Sequence, residues 1–167
     1  KKMERVASDG LIAIHENENK IAIVEINCET DFVAKNEEFI NFVEKIAKLA
    51  LLNKGNIEKI LVSEMDNKKK VQDNLVALIS KIGEKITIRR SAYLDEENSI
   101  NFHYTHTSLK KNIGKLGVVI SIETKIPKTN ILDLGHKLAM HVAAINPLSI
   151  NTNDLDSNIL KKEEEII

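Results

Sequence analysis

The 167-residue sequence contains one cysteine, two prolines and no tryptophan, and its formal net charge is −1. The single cysteine, Cys28, excludes an internal disulfide framework and suits a reducing compartment. The near balance of charge excludes the strong positive field that attracts nucleic-acid phosphates. Charged or amide side chains interrupt every apolar stretch, so the sequence predicts no membrane-spanning segment.

The hydrophobic residues, 43% of the chain, recur with two different periods, and this predicts an α+β fold. Asn36 is the predicted N-cap of the longest early helix, and Gly83 is predicted to end a later one. Strands are predicted at residues 10–15, 20–28, 85–94, 100–107 and 117–124. Helices are predicted at residues 37–53, 56–63, 68–82 and 130–145. The last helix is predicted to face inward through Ile131, Leu134, Leu138, Ala139 and Val142.

The two halves of the chain share one pattern, a hairpin strand followed by a loop and an amphipathic helix. Glu29-Thr30 and Glu123-Thr124 each close a strand, and in that register Val24, Ile26 and Cys28 align with Val118, Ile120 and Ile122. The pattern predicts two related subdomains, each an antiparallel sheet packed against helices. We expect them at residues 1–95 and 96–152, followed by the start of a charged helix at 153–167. The alternative is that any strand–loop–helix unit would match another this well.

The histidines and the cysteine do not form a recognisable chemical site. His103 and His106 lie three apart on a predicted strand and point to opposite faces, so they cannot chelate one metal. His136 and His141 are five apart on a helix, a poor spacing for shared ligation. Cys28 lies on an apolar strand face, which is typical of a core residue. With no phosphate loop and no nucleophile–base pattern, the sequence favours a binding protein over an enzyme and predicts neither a metal nor a cofactor.

Residues 27–39, with the sequence NCETDFVAKNEEF, resemble the signature of the elongation factor Ts family, in which a strand ends in a Thr-Asp-Phe-Val-Ala-Lys loop before a helix. Three further segments match the family in the same order along the chain: residues 6–10, 76–90 and 137–147. The resemblance therefore covers nearly the whole sequence and implies two related α+β subdomains.

In the family, this core binds elongation factor Tu and promotes release of GDP. The resemblance implies that Asp31 and Phe32, in a predicted loop of about eight residues, reach the GTPase domain near its magnesium site. It also implies that Leu116, Gly117 and His141 contact another domain of Tu, with Leu116 standing where the family has Ile. The alternatives drawn from the residues themselves remain a turn or cap role for Asp31 and a core role for Phe32.

The family also has a helical N-terminal module and a C-terminal helical hairpin, so we expect this chain to correspond to the central core. The resemblance implies a cytoplasmic bacterial protein, or one of an organelle matrix if a targeting segment was removed. It allows a homodimer in the full complex and implies no direct contact with nucleic acid or membrane. Two rival functions stay open, an RNA- or ribosome-associated binding domain and a small hydrolase that uses His141 or Cys28.

Overall fold

The computed structural model describes residues 7–155, which form an α+β fold built on one five-stranded antiparallel sheet. The order of the strands in the sheet is β3-β2-β1-β5-β4. The predicted fold class is confirmed, although the two hairpins join in one sheet rather than forming separate ones. The strands are β1 (Asp9–Asn17), β2 (Lys20–Cys28), β3 (Thr87–Leu94), β4 (Ser99–Lys110) and β5 (Ile113–Glu123).

Five α-helices lie within the described residues, and polar caps determine where several of them begin. The side chain of Asn36 accepts hydrogen bonds from the backbone N–H groups of Glu38 and Phe39 at 2.9 and 3.2 Å, which confirms it as an N-cap. Gly83 adopts a left-handed conformation and ends the fourth helix, as predicted. The helices are α1 (Asp31–Ala34), α2 (Glu37–Leu52), α3 (Ile57–Val62), α4 (Val71–Ile82) and α5 (Lys128–Ile145).

The first layer of the core lies between α2 and the strands β1 and β2. Alternation along β2 places Val24, Ile26 and Cys28 on the face toward α2, where all three are fully buried. The helix packs one apolar stripe against this face, with Leu49 partly buried at the edge of the stripe. The buried residues of α2 are Phe39, Phe42, Val43, Ile46, Ala47 and Ala50.

The β4–β5 hairpin joins this sheet through a few residue pairs between β5 and β1. Beyond them, β5 lies over the face of β1 and β2 that points away from α2. β5 pairs with β1 at two positions, Ile12 with Gly114 and Ala13 with Ile113. Farther along β5, a Cβ atom added to Gly117 would lie 2.4 Å from the side chain of Ile12 and 3.0 Å from that of Ile23. Gly117 therefore permits a close approach of β5 to the face of the first hairpin that points away from α2.

The two strands of this second hairpin are longer than the sequence indicated. No strand was predicted at residues 108–116, but most of them continue both strands into a tight turn at Lys111 and Asn112. Asn112 adopts a positive φ of 61°, a conformation that asparagine tolerates in such turns. A register shift between Ser108 and Lys110 accommodates an extra residue, and such bulges disturb simple alternation.

Helix α5 packs on the outer face of the second hairpin, but through a different stripe from the predicted one. Its buried residues are Ile131, Gly135 and Ala139, whereas Leu134 and Leu138 are exposed, so the prediction of these two as inward-facing was wrong. The reason lies at Gly135, where the ring of Phe102 occupies the space beside the helix backbone. Small residues let the helix approach the sheet closely, and this rotates the larger leucines outward.

No helix among residues 7–155 is long and apolar enough to cross a membrane. The predicted charged helix at residues 153–167 lies outside the described residues except for its first positions, where Thr152–Asp154 form a short 3-10 helix. In each half, a hairpin is followed by a helix that packs on it. The boundary between residues 95 and 96, and the equivalence of the two halves, stay predictions.

Gly135→Ala should destabilise the protein even though alanine favours helices, because the added Cβ would lie 2.4 Å from the ring of Phe102. We expect the free energy of unfolding in urea to fall by about 1–3 kcal/mol. Lys137→Ala, at an exposed position of the same helix, serves as the control. A smaller side chain in Phe102→Leu should restore part of the loss. An unchanged midpoint in Gly135→Ala would contradict the close packing of α5.

Candidate functional site

The segment that carries Asp31 and Phe32 is a single helical turn, α1, and not the open loop that the sequence predicted. The carboxylate of Glu84 accepts hydrogen bonds from the backbone N–H groups of Glu29 and Thr30, each at 3.1 Å, and from the Thr30 hydroxyl at 2.6 Å. Thr30 also caps α1, since its side-chain oxygen accepts from the backbone N–H of Val33 at 3.4 Å. These bonds fix where the turn begins.

Phe32 projects from this turn into solvent, with its residue 89% exposed. The next two residues, Val33 and Ala34, are buried in the core beneath α2. The alternative that Phe32 anchors the core is therefore wrong for this structure. An exposed phenyl ring next to two buried residues, in the part of the chain that the structure describes, is an apolar surface available to a partner.

Asp31 is held by two lysines. The Nζ atom of Lys35 lies 2.5 Å from one carboxylate oxygen, and Nζ of Lys115 lies 2.8 Å from the other. The hydrogen bond from Lys115, with a smaller contribution from Lys35, lowers the pKa of Asp31 to about 2. Lys115 also forms an ion pair with Asp9, whose pKa is lowered chiefly by that contact. The turn role foreseen for Asp31 is present, and it operates through ion pairs.

Lys115 belongs to β5 and immediately precedes Leu116 and Gly117, so the ion pair places α1 beside the second predicted contact segment. Asp31, Leu116 and Gly117 line one open groove of about 630 Å³. The C-terminal end of α5 lines the opposite side, through Val142, Ala143, Asn146 and Pro147. Phe32 and His141 are not among the residues that line this groove.

The remaining predicted contact, His141, is exposed on α5 next to a broad apolar surface. Leu134 is 60% exposed and Ile145 is 55% exposed, which is unusual for such large side chains on one helix. The other exposed apolar residues of α5 are Leu132, Leu138 and Met140. Leu116 is also exposed, whereas Gly117 is half-buried and packs against Ile12.

Nothing in the described part of the chain resembles a hydrolytic or metal site. Cys28 is fully buried, and burial raises the pKa of its thiol to about 11, so the thiolate needed for nucleophilic attack is scarce at neutral pH. The thiol donates to the carbonyl oxygen of Thr30 at 3.2 Å. Among residues 7–155, no group of three His, Cys, Asp or Glu side chains is arranged to hold a metal ion.

The model of the family described as elongation factor TS matches residues 29–167. The chain belongs to the elongation factor Ts family. Elongation factor Ts of Parvibaculum lavamentivorans is 38% identical over 168 residues, covering 100% of this chain and 54% of that protein. Elongation factor Ts of Bartonella tribocorum is 40% identical over 167 residues, covering 99% of this chain and 54% of that protein. The chain thus spans about half the length of these relatives.

Three residues that organise the candidate site were not found from the sequence: Glu84, Asp9 and Lys115. Lys115 forms ion pairs with Asp9 and Asp31, and Glu84 binds the backbone of Glu29 and Thr30, and contacts across such separations in sequence leave no local pattern. The capping role of Thr30 could have been predicted, because Thr precedes an acidic first helical turn here.

Cys28 should resist modification by an aromatic disulfide reagent at pH 8. With its pKa near 11, roughly one thiol in a thousand is ionised, compared with about a quarter for an ordinary cysteine. The rate of thionitrobenzoate release should therefore rise at least about a hundredfold when urea unfolds the chain. Equal rates in the native and unfolded protein would show that Cys28 is accessible and ionised.

Proposed function

We propose that this chain binds elongation factor Tu and promotes release of its GDP, as a guanine-nucleotide exchange factor in translation elongation. Family membership supports the partner, and the exposed ring of Phe32 on a fixed turn is the observation that carries the mechanism. The rival function, an RNA- or ribosome-associated domain, has less support because a net charge of −1 offers little attraction to phosphates.

Exchange of this kind breaks no covalent bond, so the proposal needs no catalytic residue and no cofactor. A GTPase holds its nucleotide partly through a magnesium ion that bridges protein and phosphate oxygens. A factor that binds the nucleotide-free form more tightly than the GDP form must weaken GDP binding by the same ratio, because the coupling is reciprocal. The chain therefore acts through the differential affinity of its contacts.

Phe32 is suited to supply that difference. Its ring is in water in the free chain, and transfer to an apolar pocket is worth roughly 1.5–3 kcal/mol. If that pocket opens in Tu as the magnesium site is distorted, the gain is realised mainly after nucleotide release. The ends of α1 are already fixed by Glu84 and by burial of Val33, so little ordering entropy opposes the insertion.

Leu116, Gly117 and His141 form the proposed second contact, with another domain of Tu. Leu116 and His141 are exposed, which suits a direct contact. Gly117 contributes by letting β5 lie close to Ile12, which sets the position of Leu116. Two contacts carried by one sheet and the helices packed on it would allow the chain to hold one domain of Tu while Phe32 acts on the other.

The proposal places the protein in the bacterial cytoplasm, in keeping with its bacterial relatives. A homodimer in the full-length complex is part of the same proposal. The length of the relatives leaves room for further segments that would add contact area to both interactions.

Phe32→Ala should slow chain-promoted GDP release from Tu by about ten- to a hundredfold, since each 1.4 kcal/mol corresponds to a factor of ten. Stopped-flow fluorescence of labelled GDP measures the rate. The melting temperature should stay unchanged because the ring is 89% exposed. Leu52→Ala is the control, since Leu52 is also an exposed apolar residue, at 76%, on the end of α2.

Two results would count against insertion of the Phe32 ring into a pocket of Tu. If Phe32→Ala lowers the melting temperature and leaves exchange per folded molecule unchanged, the ring stabilises the chain instead. If Leu52→Ala slows exchange as much as Phe32→Ala, loss of any exposed apolar side chain is sufficient and α1 has no special role.

His141→Ala should weaken binding to Tu several-fold, about 1 kcal/mol, without lowering the melting temperature, because the imidazole is exposed and has no buried role. Calorimetric titration of Tu with both proteins measures the affinity. His136→Ala, an exposed histidine five residues earlier on α5, is the matched control and should bind normally. An unaltered affinity in His141→Ala would remove this residue from the second contact.

A further inference from the structure

Lys115 joins parts of the chain that are far apart in sequence. Its ammonium group lies 2.8 Å from the carboxylate of Asp31 at the start of α1 and pairs with Asp9 at the start of β1. The three side chains are partly shielded, with 29% of the Lys115 side chain exposed. Partial burial of this kind makes an ion pair less sensitive to solvent screening than a fully exposed one.

We propose that Lys115 is a positioning residue for exchange, which holds α1 against β5 so that Phe32 and Leu116 are presented to Tu in one fixed arrangement. This inference rests on the proposed exchange function. It assigns to Lys115 an action through Asp31, without direct contact between the lysine and the partner.

The charges explain why this lysine matters. Without it, the carboxylates of Asp9 and Asp31 would face each other with no cation between them, and repulsion from Asp31 already acts to raise the pKa of Asp9. The other cation on Asp31, Lys35, is four residues away at the end of the same turn. The Lys35 pair therefore stays within α1 and cannot hold α1 to the sheet.

The contribution of Lys115 should be partial. Glu84 still fixes the start of the turn, and Val33 and Ala34 still bury its end. Loss of Lys115 should thus leave α1 formed but looser, with Phe32 less well oriented. Small losses of orientation in a contact of this type are expected to reduce rates by modest factors.

Lys115→Met tests the proposal, because Met retains much of the apolar stem and removes the charge. Lys115→Arg restores a cation, and Lys110→Met removes a comparable ion pair with Glu44, far from α1. Hydrogen exchange of the Lys35 amide, which donates to the Asp31 carbonyl at 3.1 Å, reports the opening of α1 without Tu. It should accelerate about threefold to tenfold in Lys115→Met, and stay near the wild-type rate in the other two variants.

The exchange rate supplies the second measurement. Lys115→Met should slow GDP release by about threefold to tenfold, but by less than about twofold when Asp31 is already replaced by Asn, since both changes remove the same link. An equal slowing in the Asp31→Asn background would mean that Lys115 acts by a route other than Asp31, through Asp9 or by contact with Tu itself, and would overturn the proposal. Unchanged exchange of the Lys35 amide would also overturn it. If wild-type chain fails to accelerate GDP release, the proposed function is wrong, while the amide measurement still decides whether Lys115 positions α1.

Discussion

The exposed position of Phe32 depends on the constraint that both ends of its helical turn are fixed. Glu84 binds the backbone on one side, and the burial of Val33 and Ala34 fixes the other. A single turn has too few hydrogen bonds to be stable alone, so tertiary contacts must supply its stability. The ring remains in water because its neighbours leave it no path to the core. An apolar side chain in such a position is available for a partner at little conformational cost.

Because the β4–β5 hairpin crosses over the first hairpin, β5 comes to lie beside the helical turn α1. Pairing of β1 with β5 is limited to two residue pairs, after which Gly117 lets β5 lie on Ile12 and Ile23. As a result Lys115 reaches Asp31, although 84 residues separate them in sequence. The sheet therefore brings together the two segments that the family resemblance assigned to different domains of Tu, and the groove between α1 and the end of α5 follows from the same crossing.

The sequence predicted those elements correctly whose structure follows from one local pattern. The period-two alternation of β2 and the helical stripe and Asn36 cap of α2 were predicted to within a residue, because each element buries one face in the same core. The exposure of Phe32 could not be derived from the residues alone, which favoured a core role. The family resemblance supplied it, since a loop aromatic has no periodicity to read.

The errors arose where tertiary contacts overrode local patterns. In α5, Leu134 and Leu138 match a helical stripe, yet the close contact between Gly135 and Phe102 turns the helix so that they face out. The turn α1 was too short for any periodic signal, and residues 108–116 contain lysines and glycine that favour a loop until pairing with a neighbour is known. Lys115, Asp9 and Glu84 act through the fold, so their roles become visible after the strands are in place.

The central claim is that this chain binds the nucleotide-free form of Tu in preference to the GDP form. Calorimetric titration of the chain into Tu·GDP with magnesium, and into Tu stripped of nucleotide, measures both affinities directly. The account predicts much tighter binding to the stripped form, and a GDP affinity of the complex that is reduced by the same ratio. Equal affinity for the two forms would contradict it, because a partner without differential affinity cannot drive release.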